Sequence, residues 1–141
     1  MNPSANDNFS IKWAARNGHV AVVDRLLQES RTDPTVQSNI AIIAASQKGH
    51  ILVVNRLLQE SRVDPTDQDN LAIRVASMYG HITVVNRLLQ DDRVDPSDGS
   101  NAAIHAARER CHIVVVDRLL QDERVQKLDK LHQELKTIAT V

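Results

Sequence analysis

Four histidines, His19, His50, His81 and His112, each stand 31 residues after the last, and the one cysteine of the chain, Cys111, lies beside the fourth. Imidazole and thiolate are the usual ligands of zinc, so a metal site is the first chemistry to weigh. Zinc holds its nitrogens at about 2 Å. Residues that recur once per structural layer are kept about 8–10 Å apart by the packing of neighbouring helices, so they cannot converge on one ion. The histidines are instead expected to hydrogen-bond between successive turns, and neither a metal nor a cofactor is expected. Catalysis finds no better support. No Gly-rich phosphate loop, nucleophile motif or carboxylate pair stands outside the periodic residues, and the chain is read as non-enzymatic.

The elements that would position these residues share the same period. Pro3, Pro34, Pro65 and Pro96 keep the 31-residue step, as do Asn8, Asn39, Asn70 and Asn101, and so do Leu26-Leu27, Leu57-Leu58, Leu88-Leu89 and Leu119-Leu120. Each unit reads as two helices and a turn. The recurrent Asn is expected to cap the first helix through its side-chain oxygen. That helix, such as Leu71 to Tyr79, packs Ile73, Ala76 and Ser77, and closes on Gly18, Gly49 or Gly80, where a left-handed residue is easiest. The second helix starts near the histidine and buries a stripe such as Val84, Val85, Leu88 and Leu89. The polar stretch Pro96 to Ser100 is a turn by composition. Met1-Asn2-Pro3-Ser4 has the same character as the turn segment Asp95-Pro96-Ser97. Aromatics are only 2% of a chain of 141 residues with net charge −1. A small aliphatic core suits thin repeated layers. The charge supplies no field for nucleic acid or an anionic membrane. No apolar run approaches the roughly 18 residues of a spanning helix, and Met1 to Ser10 is too polar for a signal peptide. Asn8-Phe9-Ser10 is therefore read as a chance glycosylation pattern, and the lone cysteine fits a reducing compartment.

Residues 70–89 read Asn-Leu-Ala-Ile-Arg-Val-Ala-Ser-Met-Tyr-Gly-His-Ile-Thr-Val-Val-Asn-Arg-Leu-Leu. This run resembles the ankyrin repeat signature, in which Thr-Pro-Leu-His leads through paired alanines to Gly-His, Val-Val and Leu-Leu. The opening departs from the family as Ala41-Ile42-Ile43, Ala72-Ile73-Arg74 and Ala103-Ile104-His105, and the unit is shorter than the usual 33 residues. Its Asp-Pro style is similar to that of the ankyrin arrays of protists, giant viruses and some intracellular bacteria. The resemblance implies an all-α solenoid of four helix-turn-helix repeats, about 3–33, 34–64, 65–95 and 96–126, with residues 127–141 as a C-terminal capping helix on the stripe Val125, Leu128, Leu131, Leu135 and Ile138. Single units cannot bury their apolar faces, but three or more stacked units can.

Residues common to all units build the unit; those that differ are where recognition can reside. Arg25, Arg56, Arg87 and Arg118 are expected to form a ladder with Asp33, Asp64 and Asp95. The family binds partners through a concave surface of turn tips and first helices. On that surface the resemblance places Arg16, Asn17, Gln47, Lys48, Met78, Tyr79, Glu109 and Arg110, and at the tips Gln68 among Asp67-Gln68-Asp69. Met78-Tyr79 is the candidate anchor. Phe9 and Trp13 share a helical face and are expected to cover the open end of the stack. Cys111, standing where the other units have glycine, is expected to cost a little stability at that helix end. The reading is a protein-binding module of a monomeric, cytoplasmic chain (host cytoplasm for a secreted or viral protein), with no nucleic-acid or membrane partner. Its alternatives are an adaptor or host-directed effector that delivers a captured protein, or self-assembly through the solenoid ends.

Overall fold

A computed structural model describes residues 3–140 apart from Ser30. The described residues form helices and turns: α1 (Pro3–Arg16), α2 (Val20–Gln28), α3 (Val36–Lys48), α4 (Ile51–Leu58), α5 (Asp67–Met78), α6 (Ile82–Leu89), α7 (Asp98–Glu109), α8 (Ile113–Leu119) and α9 (Glu123–Ala139). Odd-numbered helices pack on one another in order, α1 on α3 on α5 on α7 on α9. The even-numbered helices form a second row, and each pair is joined by its own hairpin contact. The core runs along the seam between the rows. Ile11, Ile42, Ile73 and Ile104 come from the inner helices, and Val23, Leu57, Leu88 and Leu119 from the outer ones, all at or near full burial. Each layer contributes the same small set, so burial is supplied by neighbours rather than by one centre.

Pro3 and Ser4 lie in α1 and not in a turn; proline loses no hydrogen bond in a first helical turn. Met1 and Asn2 fall outside the described residues.

The recurrent asparagines are not helix caps. Asn39, Asn70 and Asn101 have φ of +59°, +56° and +65°, and each ends a run of three left-handed residues before the regular helix begins. Their side chains are buried and face the next layer. Asn70 Oδ1 accepts from the Asp95 N–H at 2.9 Å, and its amide donates to Asp98 Oδ2 at 2.8 Å. Asn39 does the same with Asp64 and Asp67. A buried amide needs both its donor and its acceptor satisfied, and only the following turn supplies both here. The aspartates in turn fold the Asp-Pro corners, with Asp64 Oδ1 accepting from the Thr66 N–H and hydroxyl at 2.8 and 2.7 Å.

The expected arginine ladder forms only in part, at Arg56 and Arg118, and with other partners than Asp33, Asp64 and Asp95. The Arg87 rung is missing among the described residues, since Asn55 Oδ1, its equivalent acceptor, is buried without a partner. Arg56 Nε bonds Asp24 Oδ1 at 2.7 Å on the preceding outer helix, and Arg118 Nε bonds Asn86 Oδ1 at 2.9 Å. The outer helices lie side by side, so an arginine meets the equivalent of its own preceding residue one layer back. A second arginine series ties the turns together: Arg93 donates to the Val63 carbonyl and Arg124 to that of Val94.

Candidate binding face of the inner helices

The inner helices end on glycine for two physical reasons. Gly18, Gly49 and Gly80 have φ between +74° and +77°, a conformation that costs other residues about 1–2 kcal/mol. The imidazole of the next repeat also lies against each one. A Cβ on Gly49 would sit 2.6 Å from His81 Nδ1, and one on Gly80 would sit 2.6 Å from His112 Nδ1. With the ring so placed, His50 Nε2 reaches the Arg16 carbonyl at 3.0 Å, and His81 Nε2 reaches that of Gln47 at 2.9 Å. These are the expected bonds between turns. Among the described residues no group of histidine, cysteine and carboxylate side chains could hold a metal ion. Cys111 occupies the glycine position with φ +59° and is exposed. The next element packed on its layer is α9, which brings no Gly-His hairpin.

The backbone at each Gly-His corner is thus held, while the two side chains preceding the glycine project from the end of the inner helix. Arg16, Lys48, Glu109, Arg110 and Tyr79 are exposed there, and Gln47 and Met78 are half-buried. Asn17 turns back instead and caps α1 by donating to the Trp13 carbonyl at 2.8 Å. Lys48, Tyr79 and Arg110 hold the same place in three consecutive layers. The Arg110 guanidinium lies 5.6 Å from the centre of the Tyr79 ring, within the range of a cation–π contact. From the other side Gln47 Nε2 makes a long contact of 3.5 Å to the Tyr79 hydroxyl, and the His81 ring is stacked at 6.4 Å. Tyr79 is therefore oriented by both neighbouring layers while remaining 41% exposed.

Gln68 does not join this group. It lies at the opposite end of α5, beyond the eight residues from Leu71 to Met78, or about 12 Å of helix. Its amide donates to the Ser38 carbonyl of the preceding turn at 3.1 Å, and the tip carboxylates Asp67 and Asp98 are engaged by Asn39 and Asn70.

Apolar side chains also reach the surface at the first helix and along the outer row. Phe9 and Trp13 share one face of α1 as expected, and are 69% and 51% exposed around an open hollow of about 270 Å³ with Ser10 and Val22. Sequence reasoning misses Leu52, Ile113 and Val114, which start the outer helices and are largely exposed. Ile113 and Val114 line a shallow cavity of about 410 Å³ beside Gly80 and His112. The signal for Leu52 and Val114 is an apolar residue at the position that is Ala21 and Thr83 in other units. Ile113 gives no such signal, since its column is apolar throughout as Val20, Ile51 and Ile82.

The family model for ankyrin repeats in three copies matches residues 11–98 and again 42–130. The chain belongs to the ankyrin repeat family. Comparison with curated proteins finds no significant match. Ankyrin repeats generally mediate protein–protein interaction and are typically non-enzymatic, and their all-α repeat fold is the one described above. Among the described residues no helix is long and apolar enough to cross a membrane.

Proposed function

We propose that the chain is a non-catalytic, cytoplasmic binding module whose protein partner lies across the ends of the inner helices, anchored on Tyr79. The observation that carries this reading is the row Lys48, Tyr79 and Arg110. Its members occupy successive layers and differ in every layer. Among the described residues they make no side-chain hydrogen bond between layers apart from the long Gln47 contact to the Tyr79 hydroxyl. An exposed tyrosine held in one orientation loses little entropy on binding, which is what an anchor residue requires. Met78 lies half-buried beside it and supplies adaptable apolar surface. A photo-crosslinking residue at position 79, expressed in the source cells, should form a covalent adduct with one partner. Capture of that partner should fall at least tenfold with Tyr79→Ala, the scale of an anchor worth about 1.4 kcal/mol or more, and should survive Leu52→Ser on the outer row. Undiminished capture by Tyr79→Ala would remove the face from consideration.

A second reading, self-association through the stack ends, draws on the exposed rings of Phe9 and Trp13 and on the exposed Leu131, Leu135 and Ile138 of α9. It requires a sedimentation coefficient that rises with concentration and stops rising in Trp13→Ala. A coefficient independent of concentration dismisses it.

A further inference from the structure

We infer that the face around Tyr79 takes an extended acidic segment of its partner, with carboxylates on Lys48 and Arg110 and an apolar side chain on the tyrosine between them. This rests on the proposed role of Tyr79 as an anchor and names the chemistry of the partner. The chain as a whole carries a net charge of −1, but the ends of the inner helices have the opposite sign. Arg16, Lys48 and Arg110 project there against one carboxylate, Glu109. None of the three cations makes an ion pair with a described residue, and Arg110 instead meets the Tyr79 ring. Other arginines of the stack are paired: Arg56 with Asp24 and Glu60, Arg93 with Asp91, Arg108 with Asp129 and Arg124 with Asp122. The tip carboxylates that could have neutralised the face are hydrogen-bonded at the far end of the inner helices. Three cations without an ion pair and an oriented ring therefore sit on a surface that carries a single carboxylate, Glu109, while Asp67 and Asp98 are engaged at the far end.

Layer spacing sets the register of the occupant. Lys48 and Arg110 are two layers apart, about 16–20 Å at the usual distance between packed helices. An extended chain rises about 3.4 Å per residue, so two acidic residues about five or six positions apart reach both cations, and the residues midway fall on Tyr79. Arg16, one layer before Lys48, meets a further acid about three residues beyond. A nucleic acid strand would also meet cations and a ring. Three cations, however, give little counterion release, and a single aromatic offers one stacking platform where single-strand binders use several.

The test is selection from an unbiased displayed library of peptides of about twelve residues, long enough to span three layers, on the full chain. The expected result is enrichment of Asp and Glu at a separation of about five or six positions with an apolar residue between. A selected peptide should lose affinity about tenfold or more with Lys48→Glu/Arg110→Glu and several-fold between about 50 and 500 mM salt. Lys48→Gln/Arg110→Gln should show an intermediate loss, with far-ultraviolet circular dichroism confirming that both variants are folded. An enriched pool that is neutral or basic, or affinity indifferent to charge reversal, overturns the inference. So does tighter binding of an oligothymidylate than of any selected peptide. If Tyr79→Ala abolishes partner capture but the pool is not acidic, only the partner chemistry is wrong. If Tyr79→Ala changes neither capture nor selection, the face itself is wrong.

Discussion

Placing a methyl group on Gly49 tests how the layers are joined. An alanine in its place would have to hold φ near +77°, which costs about 1–2 kcal/mol, offset by about 0.4–1 kcal/mol because alanine narrows the unfolded ensemble. Its Cβ would meet His81 Nδ1 at 2.6 Å and Cε1 at 2.8 Å, so the ring must leave. With it goes the 2.9 Å bond from His81 Nε2 to the Gln47 carbonyl, worth about 0.5–1.5 kcal/mol. The total is about 2 kcal/mol. For a urea dependence near about 2 kcal/mol per molar, the unfolding midpoint should fall by about 1 M. Equilibrium unfolding followed by far-ultraviolet circular dichroism measures this, and a cycle with His81→Ala separates the two causes. In that background the ring is already gone, so Gly49→Ala should cost only the conformational part, about 1 kcal/mol or less. Equal costs in the two backgrounds would show that the imidazole does not constrain position 49, and that glycine is there for its φ alone.

The remaining predictions concern the last repeats. Cys111→Gly should raise stability by about 0.5–1 kcal/mol, since it relieves a left-handed φ of +59° at a corner on which no further Gly-His layer rests; an unchanged or lower midpoint counts against it. Asn70→Ala should cost about 2–4 kcal/mol, because it strips partners from the Asp95 N–H and the Asp98 carboxylate. Asn101→Ala should cost clearly less: its amide bonds the Val125 carbonyl, but its buried Oδ1 has no partner. Equal costs would dismiss the ladder. Docking of α9 on α7 should weaken with acid. Burial first and then the nearby His132 hold His105 below the ordinary imidazole value of 6.5. The unfolded chain therefore takes up the proton first, and docking is full above about pH 6.5 and declines as pH falls. The Arg108 guanidinium, bonded to both Asp129 oxygens, holds that carboxyl below its ordinary 3.8. Its contribution is present above that value and is lost only at still lower pH. Hydrogen exchange of the α9 amides should therefore show two steps, the first abolished by His105→Gln and the second by Asp129→Asn. Exchange independent of pH between about 7 and 5, after correction for the intrinsic rate, would contradict the first step.

The period made the fold legible because a solenoid repeats its demands: each layer needs the same isoleucine, the same paired leucines and the same glycine corner. The period hides which of its residues meet. A local reading makes Asn70 a cap, since an asparagine before a helix ordinarily serves its own helix. In the fold it serves a turn 25 to 28 residues later. Arg56 has Glu60 one helical turn away, but its second acid, Asp24, lies 32 residues back. The same lateral geometry explains why glycine and histidine recur together: one is the floor on which the ring of the next layer rests. It also explains the exception at Cys111, where no further Gly-His layer imposes that floor. The proposed binding face obeys this rule from the opposite side. Position 79 and position 110 are equivalent in sequence, so they touch in space, and a residue there is free to vary because the backbone beneath it, not its side chain, carries the stack. Columns of the period that change chemistry while their backbone bonds stay constant are therefore where selection for a partner can act without loss of the fold.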